Sequence, residues 1–221
     1  MIILTRLSGF FFLFILALQV VMAAFGYILE PTSKHFKSDA KLLDFNNSPR
    51  KFLMSVVLAL IEHFSVITLA ILLFIVFSPY NIILGIVLIV FRITEGSIQV
   101  YSEKDYLKLL NIAKRYSVTS STEKSPLIDS YHIILQRKSN RFSYAMIAWS
   151  IGTLAFSIIL GSSIGWLGII TSIFIGIVNG IKIIIPTSKV YEILSSIGGL
   201  SAILFEIIIG IFLIFFASYH I

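Results

Sequence analysis

Long apolar runs alternate with short polar breaks along the chain, and six of the runs reach the roughly 20 residues that a helix needs to cross a bilayer core. They cover residues 7–29, 52–77, 80–101, 142–160, 164–185 and 193–218. Only Ser78 and Pro79 separate the second run from the third, and only Gly161, Ser162 and Ser163 separate the fourth from the fifth. Each of these pairs is predicted to be an antiparallel helical hairpin, because Pro and Gly do not continue a helix cheaply. The first run follows Arg6 and passes Met22-Ala23-Ala24, as a secretory signal with its cleavage site would. Its apolar residues continue through Phe25 to Leu29, however, and give it full spanning length. The pattern predicts an all-α polytopic membrane protein, a six-helix transmembrane bundle forming a single integral membrane domain over 1–221.

Segment 102–141 has a different texture. Tyr106, Leu109, Leu110 and Ala113 recur at helical spacing, with Lys104, Lys108, Asn111, Lys114 and Arg115 elsewhere on the wheel. After a polar break at 117–125, Pro126 suits a first helical turn, and Leu127, Tyr131, Ile134, Leu135 and Lys138 resume a similar spacing. Spans three and four are therefore predicted to extend as a basic, amphipathic helical hairpin. Its apolar face is expected to lie on the lipid surface; a partner-docking arm is the alternative.

Composition sharpens this picture. Hydrophobic residues make up 57% of the chain and charged residues 13%, against about 25% charged in soluble domains. The chain has no cysteine, which removes disulfides, thiol nucleophiles and Cys-based metal sites. The net charge of +6 is unevenly placed. Lys34, Lys37, Lys41, Arg50 and Lys51 lie in 30–51, eight further Lys and Arg lie in 102–141, and Lys189 lies in the fifth connection. Six spans put all of these on one face, with only Arg6 opposite. The positive-inside rule makes the basic face cytoplasmic and both termini external, in a cell membrane. The basic face is read as an attraction for anionic headgroups rather than a nucleic-acid footprint. The cysteine-free background makes the orientation testable: an impermeant maleimide on intact cells is expected to label Ser163→Cys but neither Ser48→Cys nor Ser121→Cys. Labelling at 48 or 121 alone reverses the orientation, and labelling at all three undermines the six-span count.

Polar residues inside the spans carry the most information, because a central Asp, Lys or Arg costs about 2.5–3.5 kcal/mol on insertion scales. The candidates are Gln19, Glu62, His63, Arg92, Glu95, Gln99, Asn179 and Glu206. At about 1.5 Å per residue from the hairpin turns, Glu62 lies about 26 Å, Glu95 about 23 Å, Arg92 about 19 Å and Asn179 about 24 Å from the non-basic face. Counted from the outer ends of their spans, Glu206 lies at about 20 Å and Gln19 at about 18 Å. One polar layer results. Arg92, Glu95, Gly96 and Gln99 share a helical face, as do Ser195, Gly199, Ala202, Glu206 and Gly210, and Ser172, Gly176 and Gly180 form a small-residue stripe. Arg92 and Glu206 are expected to meet inside the bundle. Lys182 is near enough to the basic face to snorkel.

Three uses of this layer are open. The charges pair to fix helix register, they line a path for a cation, proton or polar solute, or they serve an enzyme. The last has least support. Glu62 and His63 are adjacent and diverge by about 100° on a helix, the wrong spacing for two metal ligands. No Gly-x-Ser-x-Gly elbow, His-Glu-x-x-His motif or phosphate-binding loop is present. No catalytic residue, metal or cofactor is expected. A homo-oligomer or a membrane-complex partner is possible, the latter making this an accessory subunit.

The run from Leu4 to Leu13, Asn47-Ser48-Pro49-Arg50-Lys51-Phe52, the Pro79 hairpin and Phe91-Arg92-Ile93-Thr94-Glu95 resemble a group of small bacterial and archaeal multi-pass membrane proteins catalogued only as a domain of unknown function. The resemblance covers residues 1–100 and, more faintly, 144–215. It implies an integral membrane protein without assigned activity, and it supplies no site residues.

Overall fold

A computed structural model of the chain describes residues 1–28, 38–120, 123–185 and 189–216. The expected label position Ser121 and the basic residues Lys34 and Lys37 lie outside the described residues, as do Leu29 and the last residues of the sixth expected span. The described residues form eight helices and no strand: α1 (Ile2–Ala24), α2 (Ser38–Asn47), α3 (Pro49–Phe77), α4 (Ile82–Tyr106), α5 (Lys108–Val118), α6 (Ser125–Leu160), α7 (Ser163–Ile184) and α8 (Lys189–Phe215). Six stretches are long and apolar enough to cross a membrane: α1, α3, α4 running on through α5, α6, α7, and α8 from Ile193.

Local chemistry sets the boundaries. Pro49 occupies the first turn of α3, where its missing N–H is not needed. The Asn81 side chain accepts from Leu84 N at 3.1 Å and caps α4, and Ser162 Oγ accepts from Gly165 N at 3.3 Å and caps α7. Between them Gly161, at φ +58°, stops α6 in the left-handed conformation that costs glycine least. Both predicted hairpins are therefore closed by caps that their turn residues supply.

The six spanning helices touch in chain order and close a ring: α1 on α3, α3 on α4, α4 on α6, α6 on α7, α7 on α8, and α8 back on α1. Among the described residues, apolar side chains fill its non-basic half. Phe12, Leu69, Leu73, Phe156, Phe205 and Ile209 meet there in one apolar core. A second apolar core lies at the basic end and includes Met22, Leu42, Phe52, Tyr106, Leu109 and Tyr131. Polar residues lie between the two.

The second core revises the reading of 102–141. The predicted apolar positions are all buried, Tyr106, Leu109, Leu110 and Ala113 on one side and Leu127, Tyr131, Ile134 and Leu135 on the other. They face protein rather than lipid. The cover is α2, unforeseen in the 30–51 connection, which packs on α5 with Leu42 and Phe45 buried. Phe45 also meets Phe52 with ring centroids 4.7 Å apart, and Phe52 stacks on Tyr106 at 5.3 Å. Mixed polarity hid this helix, since ten residues with two buried apolar side chains leave little periodic trace. The polar break falls where expected, between α5 and α6, and α6 then runs unbroken from the extension into the fourth span.

Candidate functional site

Most of the predicted polar layer assembles, in two groups. The first begins on α1, where Gln19 Nε2 donates to Glu62 Oε1 at 2.9 Å. The other Glu62 oxygen closely contacts His63 Nδ1. The two side chains leave adjacent positions of α3 in different directions, as the helix requires, yet fold together at their tips. Glu62 and His63 are each 3% exposed. A carboxylate only accepts, so Nδ1 carries the hydrogen; this tautomer follows from the network. Nε2 then lies 3.5 Å from Glu103 Oε1 on α4 and makes no hydrogen bond.

Glu103 continues the chain. It accepts the Tyr27 hydroxyl in a short hydrogen bond and the Lys138 ammonium at 2.9 Å, while Lys138 also donates to Tyr27 Oη at 2.6 Å. The ammonium sits 4.3 Å from the ring centroids of both Tyr27 and Tyr106, a desolvated cation–π arrangement. The Tyr106 hydroxyl in turn accepts from Ile28 N at 3.3 Å. Polar groups thus line up from Gln19 to Lys138 across α1, α3, α4 and α6, hydrogen-bonded on either side of the 3.5 Å approach of His63 to Glu103.

The second group lies on α4. Arg92 and Glu95 form an ionic contact of 2.7 Å, close but without hydrogen-bond alignment, and both are buried. Gln99 Nε2 donates to Glu95 Oε1 at 3.4 Å. The stem of Arg92 passes Gly152 of α6, where an added Cβ would stand 2.8 Å from Arg92 Cγ. A small cavity of about 20 Å³ separates the two groups, with His63, Gln99, Ser102, Glu103, Lys138 and Arg141 on its wall. That is about the space one water needs. An organic solute does not fit.

Two predicted residues lie apart. Glu206 does not pair with Arg92; its Oε1 accepts from Trp149 Nε1 at 3.2 Å, among the side chains of the non-basic core. Arg92 takes Glu95 instead because residues three apart on one helix already face each other. Asn179 donates to Ile175 O of its own helix at 3.0 Å and lines a different cavity. Lys182 is buried with its ammonium 4.7 Å from the Tyr191 ring centroid, not extended to the surface.

Tyr27, Glu103 and Lys138 were missed as site residues. Glu103 was detectable, since 95, 99 and 103 are successive fours on one face of α4. Lys138 was detectable too, as the one lysine in phase with the apolar stripe of its helix. Such a lysine needs a counter-charge. Further toward the basic end, Asp105 pairs with Arg141 at 2.7 Å and Lys108 at 2.5 Å. Within the two groups the buried carboxylates Glu62, Glu95 and Glu103 face two fixed cations, Arg92 and Lys138. Acid is in excess. Among the described residues, no group of three His, Asp or Glu side chains is arranged to hold a metal ion.

The six apolar helices and the charged interior define a multi-pass integral membrane protein whose two apolar cores are parted by a buried ionic layer. The chain belongs to the family described as a domain of unknown function, DUF4386, whose model matches residues 7–217. That match runs through the 102–141 extension as well. No curated protein and no solved structure matches the chain.

Proposed function

We propose that this is a non-enzymatic membrane protein whose working element is a proton relay, making it a small proton-conducting or proton-coupled transporter. The observation that carries the reading is His63 held between two carboxylates. With the hydrogen on Nδ1 directed at Glu62, the lone pair of Nε2 confronts Glu103 at 3.5 Å, an unfavourable pairing of two acceptors. A proton taken up at Nε2 turns it into an ion pair, and release of the Nδ1 hydrogen to Glu62 passes charge toward Gln19. The groups around His63 are Glu62 on its own helix, Gln19 from α1, Tyr27 beyond α1, Glu103 and the Arg92–Glu95 pair from α4, and Lys138 from α6. Their carboxylates outnumber their cations.

The size of the cavity supports a proton over a solute, as does the rule that intramembrane ionisable residues mark ion pathways. An accessory-subunit role has less behind it, because the apolar face of the extension is covered by the chain's own α2. The basic end is assigned to the cytoplasm and its surface lysines to anionic headgroups. The test is proton flux into vesicles of the purified protein, with an internal pH dye and a potassium diffusion potential as the driving force. Wild type is expected to exceed empty vesicles, and His63→Gln and Glu103→Gln to fall to the empty-vesicle rate. A wild-type rate no faster than empty vesicles overturns the proposal, and so do folded variants that conduct like wild type.

A further inference from the structure

Asn179 has no place in the relay. It is 6% exposed, its amide nitrogen is committed to Ile175 O, and its Oδ1 is buried without a hydrogen-bond partner. A buried amide oxygen of this kind calls for a donor. The residue lines a cavity of about 70 Å³ between α6, α7 and α8, whose walls include Phe142, Met146, Ile175 and Ala202. Tyr191 and Ser195 add polar atoms, but both are engaged in contacts of their own. A water requires two to four polar partners to be held, and this wall suits an apolar body with one donor better.

We propose that this cavity binds the hydroxyl end of a membrane-borne lipid alcohol, a long apolar molecule ending in a single O–H, with Asn179 Oδ1 as the acceptor. Its size sets how much of the ligand enters. A cavity of about 150 Å³ takes a benzene ring, so this smaller one holds the hydroxyl and a few methylene groups while the chain lies outside. The outer faces of the helices that wall it support such a source: Ile173, Ile177, Ile197 and Leu200 on α7 and α8 are exposed and apolar, the surface a bilayer covers. Gly199 lines the cavity with open space beside it, since a Cβ there meets no atom within 4 Å. The small-residue stripe of α8 thus faces open space at this point rather than a neighbouring helix. The site is independent of the proton relay.

The test uses the full chain in phosphatidylcholine nanodiscs, titrated with oleyl alcohol or with oleyl methyl ether, which has the same chain and no donor. Oleyl alcohol is expected to raise the thermal midpoint and the ether to leave it unchanged. Asn179→Leu is expected to weaken the alcohol response about tenfold in half-saturating mole fraction, as loss of a buried hydrogen bond would. Gly199→Leu, which puts a bulky side chain into the open space beside this wall residue, is expected to abolish it. Equal responses to alcohol and ether, or an alcohol response that survives Gly199→Leu, overturn the site. Photo-crosslinking of wild type with a diazirine-bearing oleyl alcohol needs no variant to fold. Adducts concentrated on the cavity walls support the assignment, and adducts spread evenly over the lipid-facing helices refute it.

Discussion

Lys138→Met is expected to destabilise the protein by about 3–5 kcal/mol, the range for breaking a buried ion pair by removing one partner. Methionine preserves the length and apolar character of the stem, so the loss reports the ammonium. Without it Glu103 remains 2% exposed with its ionic partner gone, and the Tyr27 hydroxyl loses a donor. Adding Glu103→Gln removes the stranded charge and is expected to recover much of the loss. Reversible unfolding in mixed micelles measures both. A lysine on a solvated basic face would cost about 0–1 kcal/mol. A loss that small would mean that Lys138 does not reach Glu103.

Arg92→Met is the second large effect, also expected at about 3–5 kcal/mol, because Glu95 is left as an uncompensated buried carboxylate. Here the choice of second mutation discriminates. Glu95→Gln is expected to restore more than Glu206→Gln does, since the 2.7 Å contact is to Glu95 and Glu206 is held by Trp149. Double-mutant cycles for the two pairs give the coupling energies directly. A larger coupling to Glu206 would replace the intrahelical pair with the interhelical one that depth and facing alone suggest.

That contrast shows where sequence reasoning stops. Depth along a helix is countable at a fixed rise, so the sequence places Gln19, Glu62, His63, Arg92, Glu95 and Gln99 in one layer, and they gather there. Partner choice depends on azimuth and on how far a long side chain bends. Arg92 reaches its neighbour one turn away, and the tips of Glu62 and His63 come together although their Cβ atoms diverge. The six spans were legible because about twenty consecutive apolar residues match the length a helix needs to cross a bilayer core. Helix α2 was not, with only Leu42 and Phe45 buried among polar neighbours. The amphipathic face of the extension was read correctly as a pattern and wrongly as to its cover, because a pattern states that a face is apolar without stating what meets it. Small-residue stripes are equally incomplete: a Cβ on Gly176 would stand 2.6 Å from Ser150 Oγ of α6, whereas Gly180 and Gly199 have nothing within 4 Å.

The adjacency of Glu62 and His63 has a mechanical meaning. Neighbouring positions on a helix point about 100° apart, and α3 is gripped at one of them by Gln19 from α1 and, once Nε2 of His63 carries a proton, at the other by Glu103 from α4. Two fasteners at different angles on one shaft stop it from turning. Twisting α3 about its axis in either direction pulls one of the two apart, so any working stroke of the bundle has to slide or tilt this helix, or carry α1 and α4 around with it. A spin label on α3 should therefore report translation during turnover, with its orientation relative to α1 held constant.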